Sequence, residues 1–233
     1  MTVGDDQKHW SRFAREWIDW ARSPDHDAFW AYQSAFAEFV GAGSGELLDI
    51  GCGEGRVART LKPLGYRITA VDAVAELVDA AKGAESAADY IVAPATDLPF
   101  ATGSFDTVIS YNMLMDVEDL PAAVREFRRV LRDDGTLVIS IVHPLADLQT
   151  IGAGDNYFER RKFETEAKGN GLTMHFSGWT QSLERYASAL EAAGLGITSL
   201  REPLPEITPA REHLAQWQRL PLFLWMKARV ISG

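Results

Sequence analysis

Leu47-Leu48-Asp49-Ile50-Gly51-Cys52-Gly53-Glu54-Gly55 runs directly into a helical pattern over residues 56–64. A short apolar strand, three closely spaced glycines and a helix in immediate succession describe a chain that turns sharply beneath a ligand. A Cβ at Gly51 or Gly53 would fill the space such a ligand needs. The spacing is G-x-G-x-G, because Arg56 stands where the dinucleotide fingerprint G-x-G-x-x-G requires its last glycine. Asp49, two residues before the first glycine, also speaks against a pyrophosphate on the helix end, where one carboxylate would repel another anion. A ligand with a positive group suits the loop better.

Working outward, short β-branched and aliphatic runs at 47–50, 66–71, 90–92, 105–110 and 136–142 alternate with helical segments near 55–64, 74–82 and 119–131. Near-continuous apolar strands separated by helices predict a parallel sheet covered on both faces, doubly wound, with ligands at the carboxyl ends of its strands. Runs at 197–201 and 222–230 complete seven strands, the last pair expected as an antiparallel pair at the sheet edge. Before the sheet, residues 8–40 read as two amphipathic helices. Trp10, Phe13, Trp17 and Trp20 share one face of the first, a stripe that is core three times more readily than ligand box. Ser23-Pro24-Asp25 reads as the start of the second, with Ser23 as its cap, and Gly41 as its stop. The expected organisation is a helical cap over 1–41 and a catalytic-type core over 42–233. Within the core, 145–180 breaks the α/β rhythm around Lys168-Gly169-Asn170-Gly171, a hairpin-turn sequence, and is expected to be an inserted substrate lid hinged at Gly152, Gly154, Gly169 and Gly171.

Composition removes several function classes. The 233 residues carry 23 Lys and Arg against 33 Asp and Glu, a net charge of −10, which argues against neutralising many phosphates and so against nucleic acid. Cys52 is the single cysteine, which excludes an internal disulfide framework and a cysteine-rich zinc site; no metal is expected. No run approaches the roughly 18 apolar residues of a membrane span, and no apolar signal core opens the chain, so the expected location is the cytoplasm.

Two further acids fall in register behind the glycine loop. Asp72 ends the strand after it, seventeen residues beyond Gly55, where a carboxylate can accept both hydroxyls of a ribose. Asp97 and Leu98 lie in the loop after the third strand, a polar residue beside an apolar one, able to read an adenine edge and pack its face.

These stretches together, D-I-G-C-G-E-G, the V-D of Val71-Asp72, D-L-P-F followed by S-F-D-T-V-I-S, and R-R-V-L-R-D-D-G-T-L-V-I-S, resemble the class I S-adenosylmethionine-dependent methyltransferases, most of all the small-molecule subgroup that includes quinone and natural-product enzymes. The resemblance is strong over about residues 46–142. It implies a Rossmann-like seven-stranded sheet with an antiparallel last strand, S-adenosylmethionine as cofactor, and methyl transfer to an oxygen, nitrogen or carbon of a small, partly apolar molecule. By the same resemblance Gly51, Gly53 and Gly55 line the methionine portion, Asp49 meets its amino end directly or through water, Asp72 holds the ribose, and Asp97 with Leu98 holds adenine. The pattern departs at Asp116, where many relatives carry His, so no catalytic role is assigned there.

With an electrophilic methyl supplied by the cofactor, the protein mainly aligns an acceptor and, where needed, removes its proton. His143 follows the fifth strand beside the expected methyl position and is the candidate base; otherwise His143-Pro144 simply turns the chain. Tyr111 and Asn112, ending the fourth strand, either contact the methionine carboxylate, orient the acceptor, or merely close the strand. Tyr157 and His175 on the hairpin are candidate substrate contacts, or else an exposed hairpin face. Arg22, His26 and Tyr32 are candidate lid contacts, and Arg160-Arg161-Lys162 reads as a solvated face that leaves an anionic acceptor open. Two other functions compete: a tRNA base methyltransferase, disfavoured by the charge, and a cofactor-binding scaffold without activity. Oligomeric state is not legible.

Overall fold

The structure is a computed structural model that describes residues 4–151 and 156–231. Gly152 and Gly154, two of the expected hinges, lie outside the described residues.

Among the described residues a seven-stranded sheet forms from β1 (Glu46–Ile50), β2 (Arg67–Asp72), β3 (Asp89–Val92), β4 (Phe105–Tyr111), β5 (Leu131–Val142), β8 (Leu195–Arg201) and β9 (Phe223–Val230). Its order is β3-β2-β1-β4-β5-β9-β8. β1 pairs in parallel with β2 on one side and β4 on the other, so the winding reverses between β1 and β4. In such sheets a crevice opens at the carboxyl ends on either side of that reversal. The last strand, β9, is antiparallel to both neighbours. The expected antiparallel pair stands at the sheet edge, with β9 between β5 and β8 and β8 outermost. Leu224, Met226 and Ala228 bury one face of β9 and Phe223 and Trp225 the other.

Helices α3 (Arg56–Leu61), α4 (Ala75–Gly83), α5 (Leu120–Val130) and α7 (Leu183–Ala192) cover the sheet. Two amino-terminal helices precede it, α1 (Asp5–Arg22) and α2 (Phe29–Val40). Ser23 does not start α2: its backbone N–H caps the end of α1 on the Trp20 carbonyl. The carboxylate of Asp27 instead accepts from the Phe29 N–H at 3.1 Å. Ser-Pro-Asp serves a helix end followed by a turn as well as a helix start, and the apolar run that decides between them begins only at Phe29. α2 sinks Phe29, Tyr32 and Phe36 into an aromatic layer with Tyr111, Phe223 and Trp225, beneath the carboxyl ends of β4 and β5.

The insertion contains α6 (Pro144–Ile151), which the pattern did not suggest, then a two-stranded sheet of β6 (Lys162–Gly169) and β7 (Leu172–Trp179). Asn170 and Gly171 turn it with φ of 49° and 77°, the left-handed pair that an Asn-Gly hairpin turn requires. β7 lies against α1. Phe13 stacks on His175 at 4.5 Å between centroids, and Trp17 and Trp20 meet Phe176 edge-on.

Candidate active site

The glycine loop leaves β1 with Gly51, Gly53 and Gly55 at φ of 72°, 55° and 89°, all in the region that side-chain-bearing residues avoid. It is held from below, since the Gly51 and Cys52 N–H groups both donate to the Val71 carbonyl. The cradle is tight as well as strained. A Cβ on Gly53 would lie 2.9 Å from the Trp17 indole nitrogen, and one on Gly51 would overlap Met113. Trp17 and Met113 therefore bound the crevice from α1 and from the turn after β4; the sequence offers Trp17 only within a stripe that reads more readily as core, and gives no signal for Met113.

Asp49 faces this loop from β1, 1% exposed, and neither carboxylate oxygen meets a donor in hydrogen-bond geometry among the described residues. Burial and then the charge of Asp72 push its pKa up to about 7, with the Ala58 backbone giving partial relief. A buried carboxylate without a partner is costly. Its charge faces glycines shaped for close approach and fits a cationic group there.

Asp72 is anchored, its two oxygens accepting from the Gly53 and Val74 N–H groups at 2.9 and 3.0 Å. Each oxygen keeps a lone pair for a further donor, and burial raises the carboxyl above its usual range. Asp97 is exposed on its loop. Leu98 is not where an adenine contact would put it: its side chain is buried in the core, its N–H donates to Glu126 and its carbonyl accepts from Arg129.

The structure separates Tyr111 from the crevice. Its ring lies edge-on to Phe29 and Phe36 at 5.7 and 4.7 Å, within the aromatic layer under α2. Strand alternation sends neighbouring side chains to opposite faces, and both faces of β4 are apolar, so sequence could not tell which one looks toward a ligand. Asn112 does close the strand. It adopts φ of 50°, donates its N–H to the Ser140 carbonyl and accepts the Ser140 hydroxyl at 2.7 Å.

His143 is 2% exposed with both ring nitrogens engaged. The Leu145 N–H donates to Nδ1 at 3.1 Å, so Nε2 carries the proton and faces Glu202 Oε1 at 3.1 Å. Its carbonyl accepts from Ala146 and Asp147. This is the start of α6, with Pro144 at the first helical position, and no ring nitrogen is left in this conformation to take a proton from an acceptor. Burial lowers the imidazole pKa against the opposing pull of Glu202.

The hairpin candidates are also engaged elsewhere. His175 sits between Glu16 at 2.8 Å and Glu166 at 3.2 Å, while its carbonyl faces His9 Nε2 at 2.9 Å, so it fastens the hairpin to α1. The Tyr157 hydroxyl accepts from the Leu183 N–H at the start of α7, and the residue borders a small pocket with Pro144, Leu148 and Thr180. Arg22 pairs with Glu54, His26 meets Asn170 in the hairpin turn, and Tyr32 is core. Arg160 is no solvated cation; its guanidinium stacks on Trp179 at 3.8 Å and donates to the Glu118 carbonyl.

A second pocket opens between α1, the turn after β4 and β7, lined by Asp6, Trp10, Asp116, Lys162 and Trp179 among others. Burial, and then the charges of Asp6 and Asp72, hold the Asp116 carboxyl well above its usual pKa. Asp116, which departs from the family pattern, is thus brought to the wall of this pocket.

Comparison with known proteins fits this geometry. Residues 48–139 match the family described as "Methyltransferase domain". The chain is 38% identical over 117 residues to a ubiquinone biosynthesis O-methyltransferase of Xanthomonas oryzae, covering 48% of each chain, so it spans about half the length of that relative. It is 31% identical over 183 residues to a malonyl-[acyl-carrier protein] O-methyltransferase of Enterobacter lignolyticus, covering 74% of this chain and 72% of that one. An S-adenosylmethionine dependent methyltransferase from Mesorhizobium loti shares the fold with a TM-score of 0.62 at 24% identity, covering 88% of this chain and 99% of that one.

Proposed function

The chain belongs to the class I S-adenosylmethionine-dependent methyltransferases, and from that premise we propose that it transfers the methyl of S-adenosylmethionine to a small, partly apolar acceptor at oxygen, nitrogen or carbon. Oxygen is favoured because both named relatives are O-methyltransferases. The observation that carries the proposal is the buried Asp49 beside the glycine loop, whose oxygens meet no donor in hydrogen-bond geometry among the described residues. When bound, the cofactor supplies a sulfonium-activated methyl group. Asp49 supplies the counter-charge for its positive end, Gly51, Gly53 and Gly55 the close approach, Asp72 the acceptor pair for a diol, and Asp97 an exposed carboxylate for the adenine edge.

On the acceptor side, burial and the charges of Asp6 and Asp72 favour the neutral form of Asp116, the form that can donate a hydrogen bond to an acceptor. His143 and Glu202 shape this end of the site by fixing the start of α6; Asn112 holds the end of β4 to β5. We read α1 with the β6–β7 hairpin as the cover over the crevice, and the 145–180 insertion as the segment that selects the acceptor. A cytoplasmic location belongs to the same proposal, resting on a single, buried, free thiol at Cys52. Among the described residues no helix is long and apolar enough to cross a membrane.

Titration calorimetry with S-adenosylhomocysteine, followed by incubation of S-adenosylmethionine with catechol, carboxylate and amine acceptors, tests the proposal. Binding together with a mass gain of one methyl on one acceptor class is expected. Failure of S-adenosylhomocysteine to bind would overturn it; binding without any methylated product would favour the scaffold function.

A further inference from the structure

Arg56, the residue that breaks the dinucleotide spacing, takes the first position of α3 immediately after Gly55. Its guanidinium lies 4.7 Å from the ring centroid of Trp17 and 4.4 Å from that of Phe29, between α1 and α2. Its Nη1 donates to Asp27 Oδ2 at 2.6 Å, and the two side chains are only 10% and 14% exposed. Asp27 belongs to the link between α1 and α2, and its other oxygen accepts from the Phe29 N–H. The Trp17 ring against which Arg56 lies is the one that a Cβ on Gly53 would approach to 2.9 Å, which places the guanidinium at the wall of the crevice.

The first turn of α3 is thus flanked by two charged groups in opposite states. Asp49 is buried and lacks a cation; Arg56 is nearly buried and already holds an anion, provided by the chain itself. The amino-acid end of S-adenosylmethionine carries one ammonium and one carboxylate. A site for it needs an anion and a cation side by side, and an Arg fork is the side chain best suited to bind a carboxylate in two places.

We propose that Arg56 receives the α-carboxylate of the cofactor and that Asp27 is a built-in competitor, occupying Arg56 in the free protein and released from it when the cofactor's carboxylate arrives. This rests on the S-adenosylmethionine function proposed above. Because Asp27 also starts α2, exchange at Arg56 couples cofactor binding to the link between the two covering helices. A ligand shifts such an equilibrium only by its differential affinity for the two states, so the competitor must weaken carboxylate-bearing ligands and no others.

Two probes isolate the carboxylate end. S-adenosylhomocysteine carries the amino-acid tail; 5′-methylthioadenosine keeps the nucleoside and sulfur and lacks it. Asp27→Asn retains an oxygen for the Phe29 N–H and removes the competing charge, and should tighten S-adenosylhomocysteine about tenfold, the worth of one charge-assisted hydrogen bond. Arg56→Gln should weaken it about tenfold or more, and both variants should leave 5′-methylthioadenosine within about twofold. Should Arg56→Gln fail to fold, Arg56→Lys keeps the charge without the fork and should show a smaller loss, confined to S-adenosylhomocysteine. Equal shifts for both probes, or unchanged S-adenosylhomocysteine affinity in Asp27→Asn, would overturn the proposal and leave the methyltransferase function standing. If the wild-type protein binds neither probe, the methyltransferase function falls, and this proposal with it.

Discussion

Asp49, just before the glycine loop, and Glu54, within it, stand five residues apart, each 1% exposed, and they could hardly be treated more differently by the fold. Glu54 accepts from Arg59 at 2.7 and 2.8 Å and from Arg22 at 2.9 Å, tying α1 to α3. Asp49 has no such partner. A protein that can bury and satisfy one carboxylate with two arginines is able to satisfy another, so the orphaned one marks a demand left for a ligand. Paired buried charge holds this structure together; unpaired buried charge shows where it binds.

The contrast breaks most visibly at Asp49. Its pKa is raised from 3.8 to about 7 in the folded protein. Between those values the folded chain holds a proton that the unfolded chain has released, so the unfolded state binds fewer protons and stability falls as pH rises from about 4 to about 7. The penalty is fully present above pH 7 and absent below about pH 4. Asp49→Asn should therefore stabilise the free protein at pH 8, by up to about 4 kcal/mol, and by almost nothing at pH 4, while abolishing S-adenosylhomocysteine binding. Urea unfolding at both pH values reads the difference; a variant less stable than wild type at pH 8 would mean that Asp49 has a partner after all.

Glu54 should behave with the opposite sign. Arg59→Met leaves the buried carboxylate with Arg22 alone and should cost about 2 to 3 kcal/mol in urea unfolding, below the full value for a buried pair because Arg59 is one-third exposed. An unchanged midpoint would reduce the Glu54 cluster to surface pairing. Asp72 lies between the two extremes, being anchored to the loop yet still able to accept. Asp72→Ala should lose roughly 1.5 to 3 kcal/mol of S-adenosylhomocysteine affinity in calorimetry, and undiminished affinity in a folded variant would remove it from the ribose.

These same residues show what a sequence can and cannot disclose. Asp49, the glycines and Asp72 were legible because backbone geometry and strand ends constrain them locally, and the seven strands were legible because β-branched runs separated by helices have few other solutions. Partnership was not. Glu54 and Asp49 look alike as letters, and the folded placement of Arg59 and of Arg22, thirty-two residues away from Glu54, distinguishes them. Tyr111 stays open in the sequence because a strand buried on both faces carries no sign of which side meets a ligand. His143 stays open in the sequence because a histidine before a proline at a strand end suits a base and a chain turn equally well, and Glu202, which engages its second nitrogen, arrives from the far end of β8. His175 on the hairpin likewise finds Glu16 from α1, across a distance in sequence that no pattern spans.

The hairpin turn gives the smallest and most local test. Asn170 sits at φ of 49°, where a Cβ-bearing residue is strained unless its side chain is short and polar, and Gly171 follows at 77°. Asn170 Nδ2 also lies 3.1 Å from His26 Nδ1, joining the turn to the segment between α1 and α2, and a Cβ on Gly169 would press on the same ring at 3.1 Å. Asn170→Ala keeps the strand sequences and removes both the conformational preference and that contact, a loss of about 1 to 2 kcal/mol. Because β6 and β7 pair only with each other, the loss should stay in the hairpin. Hydrogen exchange should quicken across 162–179 and along the face of α1 that carries Phe13 and Trp17, while β1, β4 and β5 keep their protection. S-adenosylhomocysteine affinity should change little if the hairpin serves the acceptor rather than the cofactor. Faster exchange throughout the large sheet would show that the cover and the core unfold as one unit, and that the hairpin supports the fold as much as it encloses the site.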